Sequence, residues 1–259
     1  VLSHVVEYTG IVPLGKPESP YRDELDPDYE EDYEEEIERT LNEEWDRHKR
    51  IRRTFSTLGF HHGRVPDDVW SSIQAYYYNN RNDRVLEGHG HGVYINRWEI
   101  ASFFVQIPWK LRRVWQSRLR ELVEGWTGVE LENTDIYGMR QYESGARLIS
   151  HVDRVETHAA SLIINVAQGN ITSPWTIELH DHADRLHEVV MKPGDIVYYE
   201  SAKCLHGRNT PLQGGYYTNL FAHYRPVGDP EWYLRNNPPE TPEPLIDVGE
   251  CHLVGAIDQ

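Results

Sequence analysis

The sequence predicts an α+β protein whose core is mainly β, a jelly roll with N-terminal helices packed on one of its sheets. Before Gly128, apolar residues recur at helical spacing; after it the chain breaks into short β-branched and aromatic runs punctuated by Gly, Pro and Asp. The 259 residues, 39% hydrophobic and 11% aromatic, suit one sizeable globular core with N-terminal additions rather than two large domains.

The elements follow in order. A dense acidic block over 23–38 precedes the basic run Arg47-His48-Lys49-Arg50-Ile51-Arg52-Arg53, the polarity that a helix dipole favours across 28–53. Such a segment reads as a solvated helix or arm, with docking of a basic peptide as the alternative. Pro66-Asp67-Asp68 opens a helix through residue 78, because Pro and acids suit a first turn. Pro108 opens another, in which Leu111, Val114, Trp115, Leu119, Leu122 and Val123 form an apolar stripe ending near Gly125. Strands are expected near 135–142, 147–153, 158–166, 175–180, 187–191, 195–200, 203–208 and 216–225, and eight strands make a jelly roll. Pro193-Gly194-Asp195 and residues 211–215 supply tight reversals. The chain thus divides into an acidic arm and helix (1–55), a helical support region (56–128), the β core (129–228) and an irregular Pro- and acid-rich tail (229–259).

Charge narrows the partners. With 42 Asp plus Glu against 26 Lys plus Arg, the surface repels nucleic-acid phosphates and anionic lipid, so a basic peptide or a small molecule is the expected partner. No apolar run approaches the roughly 20 residues that span a bilayer. Two cysteines, Cys204 and Cys251, make no disulfide framework and read as reduced thiols; with no targeting segment visible, a cytoplasmic setting is favoured.

The chemistry concentrates at His151-Val152-Asp153. Residues two apart on a strand share a side, so His151 and Asp153 can reach one ion while Val152 faces away. His206, downstream, completes a two-histidine, one-carboxylate face of the kind that holds non-haem Fe(II) and leaves positions open. The same pattern recurs at His182-Ala183-Asp184. That copy lies in a polar stretch before a strand, where a solvent-exposed turn is expected, and the surrounding cluster from His180 to His187 reads as surface. His89 and His91, flanked by glycines, read as a turn or a flexible substrate loop.

On these residues the segment 137–226 resembles the catalytic domain of prolyl 4-hydroxylase-like, 2-oxoglutarate- and Fe(II)-dependent dioxygenases. The matching features are Arg140-x-Tyr142-x-x-Gly145 leading to His151-x-Asp153, the Pro193-Gly194-Asp195 turn before an aromatic strand, and His206 followed by Pro211 and Gly214. The resemblance implies a double-stranded β-helix, Fe(II) on His151, Asp153 and His206, 2-oxoglutarate and O2 as cosubstrates, and hydroxylation of a C–H bond, with peptidyl proline as the suggested substrate and a free amino acid or small metabolite as the alternative. Tyr142 matches the family's tyrosine nine residues before the first ligand. The family's basic residue nine or ten positions after the distal histidine falls here on Gly215 and Tyr216, a departure that leaves Arg140, Arg208, Tyr217 and Asn219 as candidates to hold the far carboxylate of 2-oxoglutarate. Arg154, beside the metal strand, is a candidate for orienting substrate. A metal-binding jelly roll without turnover and a zinc hydrolase built on the His180 cluster are the rival readings.

Overall fold

The computed structural model describes residues 42–87 and 100–237. The acidic block at 23–38, His89, His91, Cys251 and the end of the tail lie outside the described residues. The first element is a short helix over 42–48 (α1). It is followed by β1 (Phe60–Arg64), α2 (Asp67–Asn80), β2 (Val85–Leu86), β3 (Ser102–Val105) and α3 (Trp109–Thr127). Then come β4 (Leu131–Glu143), β5 (Leu148–His151), β6 (Ala160–Gly169), β7 (Ile177–His180), β8 (Leu186–Val189), β9 (Asp195–Tyr199), β10 (His206–Arg208) and β11 (Tyr216–Pro226).

These strands form two facing antiparallel sheets, one of seven strands in the order β1-β9-β6-β11-β4-β3-β2 and one of four in the order β5-β10-β7-β8. This is the double-stranded β-helix that the eight-strand pattern implies. Strand alternation builds the layers. Leu162 and Ile164 of β6 and Leu220 and Tyr224 of β11 point to the outer face of the large sheet, where Val69, Ile73 and Tyr77 of α2 and Trp115, Leu119 and Val123 of α3 cover them. Ile163 and Phe221 point the other way, toward Ile177 and Leu179 of the small sheet. The helices therefore seal one face, and the space between the sheets is left for the site. Gly194, at φ 91°, makes the reversal before β9 that Pro193-Gly194-Asp195 foretells.

Several expectations are corrected. The region 56–128 is not helical throughout, since β1 pairs with β9 and β3 pairs with β4; runs such as Phe60–Arg64 are too short to reveal a period. Val114 belongs to no buried stripe and is 64% exposed. The N-terminal helix is not a freely solvated one where it is described: Glu44 and His48 are buried. Beyond β11, Trp232 is fully buried against Ile51, Phe55, Ala159 and Ala202 and pins the start of the tail.

Candidate metal centre

The small sheet brings the two histidines together. β10 runs antiparallel to β5 with His206 directly opposite His151, and the imidazole centroids lie 4.4 Å apart. Gly207 permits this approach, because a Cβ there would come within 2.8 Å of the Leu148 carbonyl oxygen and the Ser150 backbone. Asp153 is positioned by other means than the expected alternation. The strand stops at His151, and the Asp153 N–H donates to the Ser201 carbonyl at 2.8 Å, which turns the carboxylate back. Its Oδ1 sits 3.6 Å from His151 Nε2 and 3.9 Å from His206 Nε2.

Each imidazole is held in one tautomer. The Nδ1–H of His151 donates to the Ile149 carbonyl and that of His206 to the Cys204 carbonyl, both at 2.8 Å, so it is Nε2 of each ring that faces Asp153. Burial, reinforced by His206, pushes His151 down to about 3, so the ring is neutral at physiological pH. Burial alone would raise Asp153, but the imidazoles of His206, His158, His223 and His151 outweigh it and hold the carboxyl below its usual range. Two imidazoles and one carboxylate, their donor atoms within 4.8 Å of one another, are the donor set that suits a divalent ion with open positions.

A cavity of about 420 Å³ opens beside this triad. Exposed Arg154, the side chains of Tyr137, His158, Phe221 and His223, and buried Arg208 line it. α1 closes one side. Glu44 Oε2 accepts the Val152 N–H at 2.8 Å and Arg47 donates to the Asp153 carbonyl at 3.3 Å, so the helix grips the backbone of the metal loop.

The structure separates the candidates for the far carboxylate. Arg140 is engaged by Glu87, its Nε and Nη2 donating at 2.9 and 2.6 Å to the two carboxylate oxygens. Arg208 is 1% exposed and has no carboxylate at ion-pair distance among the described residues. Its guanidinium lies 4.6 Å from the ring centroids of both Trp175 and Tyr217, and it donates to the Trp175 carbonyl. Tyr142 stands directly across the sheet from Tyr217. Its buried hydroxyl, near Arg140, makes no hydrogen bond of normal geometry, and neither amide atom of the fully buried Asn219 makes one. The Tyr217 hydroxyl donates weakly to the Met191 carbonyl at 3.4 Å. A buried cation without an anion, next to unsatisfied polar groups, is the arrangement that an anionic ligand completes.

The second His-x-Asp differs from its expectation. His182 and Asp184 do lie in a turn, but the cluster is not solvent-exposed, as His180 and Asp181 are buried. His182 Nε2 lies 3.1 Å from an oxygen of fully buried Glu200, and Asp184 pairs with His48 at 2.9 Å and with Lys49. Asp181 binds Arg185 and His187. These bonds tie up His182 Nε2 and both carboxylates, and among the described residues no three donors of this cluster gather toward a common ion. Sequence reasoning also passed over His158, His223 and Glu44. The alternation of β11 could have put His223 on the face of Phe221, but nothing local joins His158 or Glu44 to Asp153.

No family model matches the sequence, and no curated protein matches it. Among solved structures the chain is similar to a Pseudomonas putida prolyl-4-hydroxylase, at 16% identity and a TM-score of 0.49, over 66% of this chain and 95% of that one. It is also similar to an oxidoreductase of the 2OG-Fe(II) oxygenase family from Burkholderia pseudomallei, at 12% identity and a TM-score of 0.46, over 64% and 84% of the two chains. HygX from Streptomyces hygroscopicus, solved with nickel, 2-oxoglutarate and hygromycin B, matches at 11% identity and a TM-score of 0.49, over 66% and 84%. At these identities the likeness is one of fold.

Proposed function

We propose that this chain is an Fe(II)- and 2-oxoglutarate-dependent dioxygenase that hydroxylates a C–H bond of a substrate held in the cavity beside His151, Asp153 and His206. The observation that carries the reading is Arg208, a buried guanidinium with no anionic partner among the described residues, on the lining of a cavity that also holds a His-Asp-His triad. A metal triad alone would fit many reactions; a metal triad with a buried receptor for a carboxylate fits a chelating keto acid.

The residues divide the work. His151, Asp153 and His206 would hold the metal through two Nε2 atoms and a carboxylate oxygen. Fe(II) bound there supplies the oxidative decarboxylation of 2-oxoglutarate to succinate and CO2 and the delivery of oxygen to a C–H bond. Arg208 binds the far carboxylate, with Tyr142 and Asn219 offering further hydrogen bonds, while Trp175 and Tyr217 exclude water from that pair. Tyr217 packs against Arg208, Arg140 keeps Glu87 in place, and Arg154 orients substrate.

Peptidyl proline is the substrate to test first, on the sequence resemblance, and the acidic block at 23–38 favours a peptide with basic residues. Free amino acids and small metabolites are the alternative set. The test is succinate formation and O2 uptake by the purified protein with Fe(II) and 2-oxoglutarate, followed by a substrate panel. Turnover that requires Fe(II) and 2-oxoglutarate supports the reading; tight metal binding with no consumption of 2-oxoglutarate overturns it in favour of a binding protein.

A further inference from the structure

Asp153 presents two oxygens to two different pairs of imidazoles. Oδ1 faces His151 and His206 at 3.6 and 3.9 Å, and Oδ2 faces His223, whose Nδ1 lies 3.8 Å away. The second pair, His158 and His223, is 4% and 3% exposed with ring centroids 3.8 Å apart. One ring nitrogen of each and a carboxylate oxygen of Asp153 lie within 4.8 Å of one another, the spread of the first triad. Asp153 Oδ2 is buried and accepts no hydrogen bond.

Hydrogen bonding holds His223 differently from His151 and His206, since the ring nitrogen nearer Asp153 is also the one that bonds Ser161. Ser201 Oγ donates to the His158 carbonyl at 3.1 Å, so Ser161 Oγ must donate to Ser201 Oγ at 2.6 Å. Ser161 is then left to accept from His223 Nδ1–H at 2.8 Å, so the lone pair of this ring lies on Nε2 and a half-turn of the ring would be needed to bring it to the Asp153 side. His158 Nδ1 is tied to the Thr157 hydroxyl at 2.6 Å, which leaves its Nε2 with one long contact, 3.4 Å, to the Tyr137 hydroxyl. Asp135 lies opposite His223 on β4 and adds negative charge nearby.

We propose that His158, His223 and Asp153 form a second metal position, joined to the first through the shared Asp153 carboxylate, for a divalent ion of the class that accepts imidazole and carboxylate ligands, such as Zn(II), Co(II) or Fe(II). It rests on the proposed function only in taking the first triad as a metal site. The alternative is that His223 and His158 merely orient the carboxylate from behind.

The experiment is metal content. Protein stripped with chelator, reloaded with Co(II) and passed through a sizing column is expected to carry two ions per chain, falling to one in His158→Gln and His223→Gln and to none in Asp153→Ala. Reloaded with Mn(II), the wild type is expected to give the spectrum of two magnetically coupled ions, which either glutamine variant converts to that of an isolated ion. The wild-type measurements need no variant and stand even if a substitution impairs folding, which thermal melts would reveal. One ion in the wild type, unchanged in both glutamine variants, overturns the second position and leaves the proposed function intact. No bound ion overturns both.

Discussion

His151-Val152-Asp153 and His182-Ala183-Asp184 share a pattern, and their surroundings give them opposite roles. Across from the first stands His206, on a neighbouring strand, with a cavity between the sheets beyond it. Across from the second stand Glu200, His48 and Lys49, which neutralise its donors one by one. The first turns its Nε2 atom and its carboxylate toward His206; the second spends the same atoms on joining the turn to α1 and to the end of β9. A His-x-Asp becomes a site through what the fold withholds from it.

The largest expected effect comes from exchanging the two. His151→Ala, Asp153→Ala or His206→Ala should abolish Fe(II)-dependent conversion of 2-oxoglutarate to succinate and reduce bound metal while circular dichroism stays native. His182→Ala should keep metal and turnover but lose thermal stability, because it removes one hydrogen bond from buried Glu200, a change of about 1–3 kcal/mol. Full activity in any triad variant, or metal loss in His182→Ala, would reverse the comparison.

A second contrast lies in the two arginines. Arg208→Ala should weaken apparent 2-oxoglutarate affinity by about ten- to a hundredfold, the range of a lost charge-assisted bond of about 1.5–3 kcal/mol. Arg140→Ala should act mainly on stability by leaving Glu87 without its fork, and Tyr142→Phe should weaken the cosubstrate several-fold with little change in melting. Cosubstrate titrations beside thermal melts separate these outcomes; equal affinity in Arg208→Ala and wild type would assign the carboxylate elsewhere.

Acid sharpens the difference further. His151 is pushed to about 3 by burial and by His206, from an ordinary value of 6.5. Below pH 6.5 the unfolded chain binds a proton here that the folded chain refuses until about pH 3. This residue's contribution to stability is therefore intact above pH 6.5 and is lost through that window at about 1.4 kcal/mol per unit. Denaturant titrations of metal-free protein at pH 7, 5 and 4 should show this fall, reduced in His151→Gln. His180, pushed by burial to about 4, adds the same sign over a narrower range. The smallest effect is expected from Glu44→Ala, which removes the acceptor of the Val152 N–H and should weaken metal binding a few-fold by loosening the loop.

The eight core strands were legible because Gly and Pro punctuate them and their apolar residues are continuous. The meeting of His151 and His206 was legible for a related reason: they lie at the ends of strands that pair, and the pairing needs only the order of elements. That Arg140 and not Arg208 would have an acidic partner was not, since it depends on Glu87, more than fifty positions from Arg140 in the chain, having turned toward one guanidinium and not the other. The same holds for Glu44, which reaches Val152 across |i−j| = 108. Local grammar reports elements and their faces; it does not report which buried charge finds a partner.

Gly207 carries a consequence for descent. Because no side chain fits between β10 and β5 at that position, a lineage that keeps this strand pairing inherits His206-Gly207-Arg208 as one indivisible unit. Substituting the glycine would push apart the two histidines and displace the arginine in a single event. In an alignment of homologues, the glycine after the distal histidine should therefore vary least wherever an arginine follows it.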